Sequence, residues 1–473
     1  AGGAARRQGP SPVMEAYGGG WDALAARAGA PAPRVFEQKE RLFGALAPAV
    51  RLWHDSAAWH PFANQVWLLL EAMQLPYVRG VVPLSSYRTP RDAEKLAAFE
   101  AALPGARPDG VPYVQLAARK GNRSDWGPPL REKSAVDLLN ALSARFPRHA
   151  LLPRTPRRRA YASALLKQYP ALQAAMYGVL GGPATAQAQA AYIAAMDDFE
   201  GAYSRERGAR FALGSNAFPD DGDGDAAQFG GPVDSLGPFL FGGRASAVDV
   251  LLLPMLERCE ANVPDPVVGG NPHLSLGRWQ ALSRLLAAAR HPGVGGSLAS
   301  VLSDPTTTVG IRMAVTGTQV VVPPPPADVS QAAQDAAVVD GAAKRDAAAR
   351  LCANGAAVAR FASSGSGTGR PRTAAAARGA ASAHVVAATE ATLQMTAGLL
   401  LDAERRGDEL EARVLQAAKA FVGDHGAAAA QRAVDALMFL AINTGVPRDM
   451  DAPAGRAFRT HLALVGAAVA RLA

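Results

Sequence analysis

The feature that most constrains this 473-residue chain is a change of hydrophobic period near residue 147. Between 48 and 147, short β-rich runs alternate with helix-like ones; from 148 onward apolar residues recur at three- and four-residue spacing. Strands are expected at 49–53, 77–83 and 112–116, and helices at 61–75 and 134–146. Pro61 stands in the first turn of its helix, where a missing N–H costs nothing. Strand–helix–strand followed by strand–helix is the grammar of a small α/β domain. Beyond it, 157–180, 186–205, 247–261 and 278–289 read as helices, so the fold class is α/β followed by all-α.

Punctuation divides the chain further. Residues 1–45 read as an N-terminal extension, with a short helix at 35–46. The numbering starts at Ala1, and the opening AGGAARRQGPSPVM has Arg6 and Arg7 but no acid before Glu15. That composition suits the remnant of an organelle transit peptide and equally an ordinary disordered end. A chloroplast or mitochondrion is therefore favoured as the location, with the cytoplasm as the other reading. The α/β domain spans 46–147 and a helical domain 148–300, interrupted by a Gly/Asp-rich insertion at 214–237. An EF-hand reading of that insertion fails, since no Glu follows at the required position. A Pro-rich linker at 301–327 leads to an Ala-rich helical appendage over 328–473. Helices are expected there at 328–361, 383–406, 408–423, 427–444 and 453–472, with a Gly/Ser linker at 363–372.

Composition excludes several classes. With 49% apolar residues the chain is no disordered polymer. Two cysteines, Cys259 and Cys352, are too few for a disulfide framework or a thiolate metal site, and each sits in a helical context that suits a buried thiol. No run approaches the roughly 18–20 uncharged apolar residues of a membrane span, so a soluble chain is expected. The formal charge of +8 is carried by scattered arginines rather than by a basic face, which ranks nucleic-acid binding far behind other readings.

Two segments carry chemistry. In Trp59-His60-Pro61-Phe62, His60 precedes a proline at a helix start and faces the free N–H groups and positive dipole end, a setting that stabilises an anion, including a thiolate. In Gly110-Val111-Pro112-Tyr113, Pro112 enters a strand and favours a cis bond, leaving the Val111 N–H and C=O to pair with a peptide-like ligand.

Together these segments resemble the glutathione S-transferase superfamily. WHPFANQVWLLLEAMQLPY is similar to the Cys-Pro-Phe or Ser-Pro-Phe helix of the omega, dehydroascorbate-reductase and tau classes, and GVPYVQL to the family's cis-proline segment. PFLFGGRASAVD at 238–249 is similar to the family's helix-start pattern, with Ser246 and Asp249 as a capping box. The Trp-bearing stretch of 271–290 is like a helix near the end of that fold. The resemblance covers roughly 46–292 and implies a thioredoxin-like domain, an all-helical second domain and an extra helical appendage.

It also implies a glutathione site, from which this chain departs. The residue before Pro61 is His rather than Cys or Ser, so thiol-exchange reduction is not expected. His60 can hydrogen-bond a thiolate or accept a thiol proton; the plainer reading is a cap residue. Ser56 is the other nearby hydroxyl, and a backbone-bonded loop serine is its plainer reading. The family's acid–serine pair, which holds the γ-glutamyl end, falls on Ser134-Ala135 or, one residue earlier, on Lys133-Ser134, with Glu132 adjacent. Ser134 is also a plain N-cap candidate. A missing acid weakens ammonium binding by roughly ten- to hundred-fold.

The implied activity is conjugation of glutathione to an electrophile, with an apolar small molecule as the second ligand and no metal. The alternative is a non-catalytic interaction or ligand-binding protein, part of an organellar assembly, for which the long appendage speaks. A two-fold homodimer and a protein partner for the appendage complete the expectations.

Overall fold

The computed structural model describes residues 20–31, 37–56, 58–85, 92–118, 125–132, 134–180, 185–213, 237–264, 271–302, 324–365, 382–443, 450 and 452–473. Lys133, the 214–236 part of the insertion, and residues 303–323 and 366–372 of the linkers lie outside them. The chain divides into two compact units, Val35–Thr316, and Ala1–Arg34 together with Gly317–Ala473. The first is inserted in the sequence of the second, and each is described by itself.

In chain order the elements are α1 (Gly20–Ala28), β1 (Glu37–Arg41), β2 (Val50–Asp55), α2 (Pro61–Met73), β3 (Tyr77–Val82), α3 (Ala93–Ala102), β4 (Tyr113–Ala117), β5 (Trp126–Pro129) and α4 (Ala135–Arg145). Helices α5 (Pro156–Leu180), α6 (Ala186–Leu213), α7 (Ala247–Asn262), α8 (Gln280–Arg290), α9 (Pro292–Gly295) and α10 (Ser297–Val301) follow. The inserted unit runs from β1 to α10. The second unit holds α1 with α11 (Val329–Val338), α12 (Gly341–Gly365), α13 (Ala383–Leu401), α14 (Gly407–His425), α15 (Ala427–Asn443) and α16 (Ala452–Leu472).

The sheet order is β1-β3-β2-β4-β5; β2 and β3 are parallel, and the other neighbours antiparallel. The helix expected at 35–46 is instead strand β1, paired with β3 through Glu37↔Gly80 and Arg41↔Tyr77. Its sequence, EQKER, has no apolar alternation; the open edge of β3 imposes the extended form. The extension expected at 1–45 thus divides, with β1 in the sheet and α1 in the helical unit.

Packing fixes the middle of this sheet. Trp53 lies opposite Gly80, and a Cβ at 80 would stand 2.4 Å from the indole, so only glycine lets the ring lie across β3. Phe99 of α3 meets that ring edge-on at 5.5 Å, and Val82, Leu103 and Val111 close the cluster. On the other face, His54 stacks against Trp67 of α2 at 5.0 Å, and the Arg79 guanidinium covers the same indole at 4.1 Å.

In the helical half, α7 packs on α2, α5 and α8 and is buried along nearly its whole length. The expected capping box is present: the Ser246 N–H and hydroxyl both donate to Asp249 Oδ2 at 2.7 Å. The other carboxylate oxygen accepts from the Leu240 N–H and the Tyr203 hydroxyl, so this buried acid satisfies four donors. Gln65 of α2 donates to Leu251 O at 2.7 Å and to the Tyr169 hydroxyl, stitching the two halves together.

In the other unit α13 is buried almost all round, which is why its apolar pattern has no single face. Its threonines stay satisfied by bonding backward along the helix: Thr389 to Val385 O (2.9 Å), Thr392 to Thr389 O (2.8 Å) and Thr396 to Thr392 O (2.9 Å). Lys344 is 0% exposed and donates to Ala337 O (3.1 Å), in the last turn of α11, and to Ala403 O (3.3 Å), in the turn that follows α13. Burial lowers its pKa to about 8.

Two histidines are held neutral in these cores. Burial first, then the Arg79 charge, lowers His54 from the ordinary 6.5 to about 3; burial, then Lys344, does the same for His461. The unfolded chain therefore takes up protons between pH 6.5 and 3 that the folded chain refuses. Each site should cost up to about 1.4 kcal/mol of stability per pH unit of acidification across that window. Urea midpoints measured from pH 7 to 4 should fall less steeply in His54→Leu and in His461→Leu than in the parent; unchanged slopes would contradict the assignment.

Candidate functional site

The topology gathers the residues singled out in the sequence at one end of the sheet. β2 ends at Asp55, and the next residue, Ser56, donates its N–H to Val82 O at 2.9 Å, at the end of β3. Because β4 runs antiparallel to β2 with Trp53↔Tyr113, the residues before Tyr113, Pro112 and Val111, lie beside that same end. β5 runs back along β4, and the Leu130 N–H donates to Val114 O at 2.8 Å. The chain thus enters 131–134 and α4 there too. The Val111–Pro112 bond is cis, as the strand-entering proline suggests. Val111 is 2% exposed with its side chain in the Trp53 cluster, so what it can present to a ligand is main chain.

The loop from Asp55 to His60 is held by charge and backbone together. The buried Asp55 carboxylate accepts the Trp59 N–H at 2.5 Å and the His60 N–H at 3.0 Å, through one oxygen each. The turn includes Ala58 with φ at +55°, a conformation costly for a residue with a Cβ, and Asn64 ties it by donating to Ala58 O at 2.7 Å. From α7, Arg258 donates to Trp59 O and to Pro254 O, each at 2.5 Å. An acid below and an arginine from the helical half therefore fix both sides of the peptide preceding the α2 N-terminus.

His60 is the N-cap residue of α2, with extended dihedrals and Pro61 behind it, but its side chain makes no capping bond. Its Nδ1 is shielded from solvent and has no partner among the described residues. Burial lowers the His60 pKa; the Asp55 charge opposes this and Arg258 adds to it, so the ring is neutral at neutral pH. Burial raises Asp55, against the pull of the two N–H donors. No acid occupies the first turn of α2; the nearest is Asp55, which holds the His60 N–H just before it.

At the opposite side of this sheet end, Ser134 caps α4. Its hydroxyl accepts the Asp137 N–H at 3.1 Å and donates to Asp137 Oδ2 at 2.6 Å, the cap role named among its expected readings. Glu132 is different. Its Oε2 is shielded from solvent and has no partner among the described residues. Ser56 is buried in the turn after β2.

Asp55 and Arg258 are the residues the sequence did not announce. Arg258 and Trp59 are 199 positions apart, and although Trp59 opens the His60-Pro61 motif, nothing local pairs it with Arg258. Both cysteines are buried, and burial raises Cys259 to about 12 and Cys352 to about 11, which leaves neither as a thiolate. Among the described residues no helix is long and apolar enough to cross a membrane, and no three His, Cys, Asp or Glu side chains cluster to hold a metal ion.

The opposed influences on His60 are separable. By NMR titration Arg258→Met should raise the His60 pKa and Asp55→Asn should lower it, as removing a cation or an anion demands. Asp55→Asn should also destabilise by about 1–3 kcal/mol, since an amide offers one acceptor oxygen for two buried donors. A His60 that ignores both changes would contradict this geometry.

No family model matches the sequence, and no curated protein matches it. Solved structures do. Glutathione transferase Omega 2S from Trametes versicolor is 15% identical and covers 57% of this chain and 97% of its own, with a TM-score of 0.36. A tau-class glutathione S-transferase from mango, Mangifera indica, is 13% identical over 56% of this chain and 98% of its own, with a TM-score of 0.35. Chlamydomonas reinhardtii dehydroascorbate reductase is 17% identical over 55% and 95%, with a TM-score of 0.33. By its own sheet order, cis proline and helical second half, the Val35–Thr316 unit has a glutathione-transferase-like fold, a thioredoxin-like domain followed by an all-helical one.

Proposed function

We propose that this unit binds glutathione and transfers it to an electrophilic, apolar small molecule. The observation that carries the reading is the convergence on one sheet end of a helix N-terminus with a neutral histidine, a cis-proline edge and a carboxylate oxygen without a partner among the described residues. Each suits one part of the tripeptide. The cysteinyl main chain pairs with the Val111 backbone; the γ-glutamyl ammonium seeks the Glu132 oxygen, next in sequence to Lys133 and close to the α4 cap at Ser134. The thiol then lies at the start of α2.

The chemistry follows from that placement. Free N–H groups and the dipole of α2 lower the thiol pKa, and the buried Arg258 charge adds to the same field. His60 takes the thiol proton, as a neutral ring can, and the sulfur lone pair forms a bond to the electrophilic carbon while the leaving group departs with its electrons. Ser56 is the second group suited to hydrogen-bond the sulfur. The protein's contribution is a lowered thiol pKa and a fixed approach.

Glutathione–agarose retention and turnover of an aryl halide test this. The chain should be retained and eluted by free glutathione. Glu132→Gln should weaken binding by roughly ten- to hundred-fold, as loss of an ammonium's carboxylate partner does. His60→Ala should stay bound but lose turnover at neutral pH, with part of the rate recovered as the pH rises. Lack of retention at millimolar glutathione would instead favour a non-catalytic interaction or ligand-binding role for the fold.

A further inference from the structure

The helical unit contains a contact that the proposed transferase site does not use. Helix α1 packs on α12 and α13, and three of its side chains, spaced by three residues, anchor it. The Trp21 indole donates to Glu390 Oε1 at 2.7 Å, Leu24 is 1% exposed, and Arg27 meets Asp402 at 3.6 Å. The receiving surface is shaped for the first anchor. Gly355 lies in the middle of α12, where glycine weakens a helix, and a Cβ there would come within 2.3 Å of the Trp21 ring. The glycine makes room for the indole.

A helix of nine residues is not stable alone and takes its form from what it lies on. Here its receptor is separated from it in sequence by the whole Val35–Thr316 unit. It acts as an intramolecular ligand, with its affinity supplied by tethering and a few anchors. Trp21, Leu24, Ala25 and Ala28 pack on the bundle, with the Trp21–Glu390 hydrogen bond and the Arg27–Asp402 ion pair beside them; these contacts must offset the ordering of nine residues, so this helix should open more readily than the bundle core.

We propose that the α12–α13 groove is a docking site for a short amphipathic helix presenting Trp, Leu and Arg at positions i, i+3 and i+6, filled here reversibly by the chain's own α1. Recognition of this kind reads spaced side chains laid into an apolar groove. A helix bearing the same three anchors competes with α1, so the segment regulates access to the surface beneath it.

The test uses the full chain and a labelled peptide of residues 18–31, followed by fluorescence anisotropy. The W21A/L24A double variant should bind the peptide saturably, and the parent at least ten-fold more weakly, because its own helix holds the groove. Adding Gly355→Leu to the double variant should abolish binding. A natively folded double variant that ignores the peptide, or a parent that binds it equally well, would overturn the proposal. Hydrogen exchange on the unmodified chain decides independently of any variant: α1 amides should exchange at least ten-fold faster than those of α13, and equal protection would overturn it.

Discussion

The buried carboxylate of Asp55 is the interaction on which the candidate site depends. It lies at the end of a central strand and holds the N–H groups of Trp59 and His60, while Arg258 holds the carbonyl between them. A charge so placed is expensive, and here two backbone N–H groups and a neighbouring guanidinium reduce that cost without cancelling it, so the Asp55 pKa stays raised. The result is a rigid turn that delivers the chain into α2 at one angle. Without that carboxylate the turn between β2 and α2 would lose the two bonds that hold the Trp59 and His60 N–H groups, leaving the Asn64 bond to Ala58 O and the Arg258 bond to Trp59 O.

That turn also joins the two halves of the inserted unit. Arg258 comes from α7 and Gln65 reaches the other way, from α2 to Leu251 and Tyr169. The electrostatics of the site therefore belong to both halves: the sheet half supplies the acid and the helix dipole, and the helical half supplies the cation. Histidine in place of cysteine or serine fits this arrangement, because a ring kept neutral by burial can take a proton that an alcohol would have to give.

Much of this was legible from spacing. Helix α2 announced itself through Pro61 and an unbroken apolar run, β2 and β3 through short β-rich runs, and Ser246 with Asp249 as a cap. The appendage helices could be read from their apolar spacing even though α13 is buried almost all round. The single helix expected at 328–361, however, is two, α11 and α12, parted at Val339 where the backbone turns extended. Strand β1 could not: its five polar or charged residues become a strand only because β3 has an edge to fill. β5, with two prolines in four residues, carried equally little signal. Helix α1 was hidden for a similar reason, since its partners lie hundreds of positions away. Among site residues, His60 and Pro112 were visible as motifs. The roles of Asp55 and Arg258 came only from three-dimensional proximity, and Ser134 proved to be occupied by its own helix.

The central claim is that one sheet end receives one tripeptide. Titrating the isotope-labelled chain with S-methylglutathione, which keeps every contact except the thiol proton, tests it most directly. Amide shifts at His60, Val111 and 132–134 should move together and saturate at a single ligand concentration. Shifts that scatter over unrelated surfaces, or none at these positions while the protein remains folded, would contradict the account.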